Sequence, residues 1–359
     1  MSRDAGSEAD SAGDRVAALA RYVVALRSGD RRGATHVALG LLERGVPAER
    51  LVTEVLAAAQ AMVGREWQLG RLSVAVEHRA STITESVLLA LSEAVLRAPD
   101  AVAEGSRGRA VVACAEGEWH TLPGRMASEV MRMRGIDVTF IGPSLPAEEL
   151  ASFVAEEEIT AVAITCSMPM TLSGAWRSIS ALRELGTTVD AGGRGFGADG
   201  RWAWVLGADQ WASDFGRGAD LMLAAVATPA PGPRGPTGAA SAIAEGRTLR
   251  RDHDVLLHDA MASALRRYPA MADSDVALRA TREDLGSTLQ VVASATTVSD
   301  PTVAIDFVTW FEDVLRARSL PIDYAAAAFD CVLEVLPQSV VSARAMTLSA
   351  RASCSRPSV

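Results

Sequence analysis

The chain has little of several features that commonly announce a function. Its four cysteines, Cys114, Cys166, Cys331 and Cys354, are widely spaced and form no C-x-x-C pair, so neither a zinc site nor a disulfide framework is expected, and a reducing cytoplasm is. Positive charge is short: 35 Lys and Arg face 44 Asp and Glu, a formal net charge of -9. Proteins that track nucleic-acid phosphates present a basic stripe, so no direct DNA binding is expected. No run approaches the roughly 20 apolar residues that cross a bilayer. The opening M-S-R-D-A-G-S-E-A-D lacks the apolar core of a secretory signal, and a soluble, cytoplasmic protein is expected. Catalytic triad, P-loop and metal-hydrolase motifs are missing, which argues against an enzyme. Aromatics make up only 5% of the chain, yet seven of them are tryptophan; such residues shield chromophores or simply fill cores.

What is present is enough for several cores. At 359 residues, 49% of them apolar, the length corresponds to two to three domains of about 150 residues each. Residues 1–13 are rich in Ser, Asp, Gly and Glu, and disorder is expected there. From Asp14 the pattern is helical: Val16, Leu19, Val23 and Leu26 recur at three- and four-residue spacing, and Gly29 separates them from a second helix over 33–43. Pro47 opens a third, with Leu51, Val55, Ala58, Met62 and Glu66 on one face, and Ser73 caps a fourth running to Leu96. Short loops between four helices predict an antiparallel bundle over 14–100.

Strand and helix patterns then alternate over 105–226, which predicts a parallel sheet with helices on both faces. Strands are expected at 109–115, 137–141, 161–165 and 188–191 and near Val205, and helices at 125–134, 146–157, 172–185 and 210–224. A Pro/Gly linker follows at 227–241. Helical periodicity returns over 242–345, with stripes led by His253, Leu278, Val303 and Tyr324. Residues 346–359 read as a Ser, Ala and Arg-rich tail.

Three segments converge on one chemistry. The loop E-G-E-W-H-T-L-P-G, residues 116–124, follows a buried strand and places His120 where parallel sheets bind ligands. Upstream, W-Q-L-G-R-L-S-V-A-V-E-H spans 67–78; downstream, one strand ends in Cys166-Ser167 and another in Gly192-Gly193. Together they resemble the cobalamin-binding module of methionine synthase and of the light-sensing cobalamin regulators. That resemblance implies a flavodoxin-like domain in which His120 is the lower ligand of cobalt and Glu118 its hydrogen-bond partner. It implies that Ser167, Gly192 and Gly193 hold the nucleotide tail, and that Trp67, Val74, Glu77 and His78 form a lid around the upper ligand, often 5'-deoxyadenosyl. Pro123 stands at the usual glycine of E-x-H-x-x-G, with Gly124 one place later. Gln68 stands where the DNA-binding photoreceptors have a second histidine, and their helix-turn-helix module is missing. A bis-histidine light state is therefore not expected, and output is expected to act on a partner in trans.

Lid bundle, cobalamin domain, linker and a helical domain of globin-like size together resemble the photocobilins, in which cobalamin and the linear tetrapyrrole biliverdin share one chain. The resemblance implies a light-sensing homo-oligomer with adenosylcobalamin and biliverdin as chromophores. His253 and His258, with Arg250 and Arg251 nearby, are the candidate bilin contacts, although a histidine on a helix is more often a satisfied core or surface residue. A corrinoid carrier of a methyltransferase system, a cobalamin sensor with a helical interaction domain, and a heme sensor through His253 or His258 are the alternatives.

Overall fold

A computed structural model describes residues 4–97, 106–228 and 238–355, with side chains from Arg15 onward. Helices α1 (Asp4–Ser28) and α2 (Arg31–Glu43) lead into a continuous helical rod. The rod comprises α3 (Ala48–Arg50), a π-helical stretch (Leu51–Ala57) and α4 (Ala58–Gln68). α5 (Val74–Leu96) completes the bundle, and the Ser73 hydroxyl caps it by accepting from the Val76 amide at 3.3 Å. Two expectations need correction. α1 begins at Asp4, inside the segment expected to be disordered, where Ala5, Glu8, Ala9 and Ala12 favour helix. The rod buries Leu51, Val52, Val55, Leu56, Ala59 and Val63, leaving Met62 exposed, because the wider π turn moves the apolar face away from the simple stripe.

The α/β region holds β1 (Arg109–Cys114), α6 (Thr121–Met133), β2 (Asp137–Gly142), α7 (Ala147–Glu156), β3 (Ala161–Thr165) and α8 (Leu172–Glu184). β4 (Thr188–Gly192), α9 (Arg201–Leu206), β5 (Gln210–Ala212) and α10 (Phe215–Ala227) follow. All strands are parallel, in the order β2-β1-β3-β4-β5. The strand expected near Val205 is the helix α9: Trp202, Ala203 and Leu206 are buried at helical spacing, and a short apolar run does not by itself distinguish helix from strand. The helix expected from Gln210 accordingly starts at Phe215, behind β5 and the Asp214 cap.

Beyond residues 229–237 of the expected linker, which lie outside the described residues, comes a helical region. It consists of α11 (Ala240–Arg251), α12 (His253–Arg267), α13 (Asp275–Val298), α14 (Thr302–Ala317), α15 (Asp323–Val335) and α16 (Val341–Ser353). The expected tail is mostly this last helix. Ala343, Thr347 and Ala350 bury one face of α16, their small size letting it pack closely on α13, α14 and α15.

Strand pleating divides the chain in two. Successive side chains of a strand point to opposite faces. Ala110, Val112, Ala161 and Ala163 join one core with α6, α10 and the bundle, whereas Val111, Ala113, Val162 and Ile164 join another with α7, α8, α9 and the C-terminal helices. Helix α13 is the bridge on that second side. Buried continuously from Val291 to Val298, it is held by the Ser294 hydroxyl, which donates to the Met170 carbonyl at 2.7 Å and accepts from the Ser173 amide at 3.2 Å. Among the described residues no helix is long and apolar enough to cross a membrane.

Candidate functional site

The centre of the site is the loop between β1 and α6. Glu118 is 1% exposed, and its two oxygens serve opposite sides. Oε1 accepts from the His120 amide at 2.8 Å and lies 2.6 Å from His120 Nδ1. Oε2 accepts from the Ser167 and Met168 amides at 2.8 and 3.1 Å, and the Thr171 hydroxyl stands at 3.5 Å. One buried carboxylate thus ties the loop after β1 to the loop after β3. Burial alone would raise its pKa, but the donors from His120 and Ser167 hold it below the usual value.

His120 occupies the N-cap of α6 without using its side chain as a cap. The Glu118 hydrogen bond raises the imidazole above its ordinary pKa against the effect of burial, and the charges of Glu118 and of Glu77 on α5 add to it. With Nδ1 engaged by Glu118 and the side chain 61% exposed, Nε2 is the atom left to coordinate a metal, and the buried carboxylate fixes its tautomer. Pro123 falls in the first turn of α6, where its missing N–H leaves no hydrogen bond broken. Gly124 supplies the close approach instead: a Cβ there would come within 3.0 Å of Phe140 and of Thr165.

Trp67, Val74, Glu77 and His78 gather where α4 meets α5. Glu77 is oriented by Ser81 at 3.0 Å and by His78 Nδ1 at 2.7 Å. Behind it Ser81, Gln60, Thr84 and Tyr22 carry hydrogen bonds across the bundle. Trp67 turns toward the C-terminal helices, its ring 6.4 Å from that of Trp310 and 5.3 Å from the Arg318 guanidinium. Gly70 beside it could not carry a side chain, since a Cβ would meet the Ala317 carbonyl at 2.8 Å.

Ser167 contributes its backbone amide to Glu118. Gly193 has φ +106°, and a Cβ there would collide with the Cys166 carbonyl, whereas Gly192 faces open space. The two candidate histidines of α12 are not brought together. His258 lies on the exposed face. His253 lines a cleft of about 290 Å³ between α11, α12, α13 and the α/β loops, with Glu116, Met170 and Arg250 among its neighbours. Glu116 pairs there with Arg250 and with Arg177. The cleft was invisible to sequence periodicity, because it is made by docking two regions about 130 residues apart.

Residues 108–224 match the B12 binding domain family, and residues 18–92 match a second family model described as a B12 binding domain. The chain carries B12-binding domains. A relative of them is the HTH-type transcriptional repressor CarH of Myxococcus xanthus, 34% identical over 109 residues, which is 30% of this chain and 34% of the repressor. The chain thus spans about a third of the length of the curated relative that it matches. Among solved structures, the monomethylamine corrinoid protein of Methanosarcina barkeri is 17% identical with a TM-score of 0.49, covering 56% of this chain and 95% of its own. The methanol:cobalamin methyltransferase complex MtaBC of the same organism is 20% identical with a TM-score of 0.30, covering 58% and 80%. The B12-binding domains therefore comprise the bundle and the parallel sheet, and the helices after residue 238 lie beyond both matched segments.

Proposed function

We propose that this chain is a light-sensing signalling protein that binds adenosylcobalamin against His120, takes a bilin in its C-terminal helices, and acts on a partner in trans. The observation that carries the reading is the pairing of an exposed His120 imidazole with the buried Glu118, under a bundle end whose Glu77 acts on the same imidazole. When bound, adenosylcobalamin supplies a light-labile cobalt–carbon bond. The chain's own residues do the rest: Glu118 fixes the tautomer of His120, and Trp67, Val74, Glu77 and His78 shelter the upper face. Trp67 also touches Trp310 and Arg318, so a change at the lid is felt in the C-terminal helices. A lid that packs differently with and without the adenosyl group gives light control of domain or subunit packing.

For the bilin, the His253 cleft offers Arg250 and Arg251 for propionate groups and Met170, Leu249 and Leu289 as apolar walls. At about 290 Å³ it lies at the lower edge of the roughly 300–1,000 Å³ common for small-molecule sites, so a linear tetrapyrrole has to open it. The test is the absorption spectrum of the full chain after incubation with adenosylcobalamin and biliverdin, before and after green and then red light. The expected result is a photobleachable corrinoid band beside a red-absorbing bilin band. A corrinoid band stable to green light would overturn the sensor reading, and the absence of a bilin band would overturn the two-chromophore reading.

A further inference from the structure

The turn that leads to His120 is gripped by the C-terminal helices. Ala115 to Glu118 form a tight turn, closed by the Glu118 amide donating to the Ala115 carbonyl at 2.8 Å, with Glu116 and Gly117 as its central residues. Gly117 takes φ +85°, a left-handed conformation that favours glycine at the third position of such a turn. The Glu116 side chain is only 12% exposed, and two guanidinium groups from different parts of the chain meet it. Arg177 of α8 stands 3.1 Å from Oε2, while Arg250 of α11 bonds to Oε1.

The backbone around Glu116 is held as closely. Its amide donates to the Ser178 hydroxyl at 3.3 Å, and the Gly117 amide donates to the Ser144 hydroxyl at 3.2 Å. Gly174 lets α8 come this near, since a Cβ there would collide with the Glu116 carbonyl. Two residues after Glu116 comes Glu118, whose carboxylate orients His120. A turn this short has few soft dihedrals between its two carboxylates, so a shift of Glu116 is passed on to Glu118 rather than absorbed. Of these holding groups, Arg250 is the one contributed from beyond the B12-binding segments, the later of which ends at residue 224.

Resting on the reading that His120 coordinates a corrinoid, we propose that Arg250 is a positioning residue for that ligand. Its clasp on Glu116 holds the turn in the form that presents the His120 imidazole, and through it the C-terminal helices set corrinoid affinity. The Glu116 carboxylate is nearly enclosed, and an enclosed charge that loses one of two partners moves toward the other or toward water. Release of Arg250 leaves Glu116 to Arg177, which also serves Glu148 on α7. The turn then re-seats toward α8, and Glu118 goes with it. Glu116 and Arg250 both line the cleft between α11, α12, α13 and the α/β loops, so whatever enters that cleft meets the clasp directly.

The test uses the full chain, its histidine rings labelled with the heavy nitrogen isotope, and cob(II)alamin as the probe. It reads the dissociation constant together with the electron paramagnetic resonance of the bound cobalt. A labelled imidazole nitrogen on cobalt(II) splits the cobalt lines into doublets, whereas the unlabelled base of the corrinoid itself gives triplets. The wild type is expected to show doublets. Arg250→Met and Glu116→Gln are each expected to weaken binding by at least about fivefold and to lose part of the doublet signal. The double variant is expected to bind no worse than the weaker single one, and Arg250→Lys, which keeps the charge, to recover most of the affinity and the doublets. Urea titration reads stability separately, because a merely structural Arg250 would lower the urea midpoint and leave the affinity and splitting of the folded chain unchanged. That result, or losses that multiply in the double variant, overturns the clasp. Glu116→Gln, nearly isosteric, decides the matter if Arg250→Met does not fold. A wild type that shows triplets or binds no cob(II)alamin overturns the coordination reading itself.

Discussion

At the residue scale the site turns on two buried acids in opposite circumstances. Glu118 is satisfied on both oxygens, and neutralising it leaves amide donors facing an amide. Glu118→Gln is expected to weaken corrinoid binding by about 10- to 100-fold, the usual cost of removing a metal ligand's carboxylate support, as read by absorbance titration. Asp190, in the middle of β4 and 4% exposed, has no hydrogen-bond partner on either carboxylate oxygen among the described residues, and its stability effect follows from the pKa that burial raises. Between an unfolded value of 3.8 and a folded value of about 7 the folded chain binds the extra proton, so its stability falls as pH rises through that window. Without a corrinoid, Asp190→Asn is therefore expected to be more stabilising at pH 8 than at pH 4, by up to about 4 kcal/mol, and urea melts at the two pH values check this. The contrast explains what could be read in advance. The Glu118–His120 pair lies within three residues of chain, so spacing exposes it. The isolation of Asp190 depends on which strands flank β4 and on what α10 presents to it, and neither is local information.

At the element scale, legibility followed the strength of the period. The long helices and the first four strands carry unmistakable patterns, whereas α9 has only six residues and α16 hides its burial in Ala and Thr. Contacts between elements are where the C-terminal helices become more than an appendage. Ser294 is fully buried and bonds to the Met170 carbonyl just before α8 and to the Ser173 amide in its first turn, so Ser294→Ala is expected to cost about 1–3 kcal/mol by stranding those partners. Trp310→Ala removes the ring that meets Trp67 and Phe307. We expect it to destabilise the chain by about 2 kcal/mol and to alter the tryptophan emission of the lid. Urea titration followed by circular dichroism and by fluorescence separates the two variants.

At the scale of the whole molecule, one apolar cluster runs from the sheet through α8 and α13 into α14, α15 and α16. The α/β region and the C-terminal helices are therefore expected to melt together in calorimetry, and a ligand of either is expected to stabilise both. Saturation at 100 times the dissociation constant adds about 2.7 kcal/mol, which a shift of that shared transition would report. The alternation of β1 has a practical consequence. Val111 and Val112 are adjacent in sequence, yet one belongs to the core that continues through α7 and α8 to the C-terminal helices and the other to the core that continues through α6 and α10 to the bundle. Their methyl resonances are a pair of built-in reporters only one peptide bond apart, and illumination that moved one without the other would say which half of the protein receives the signal.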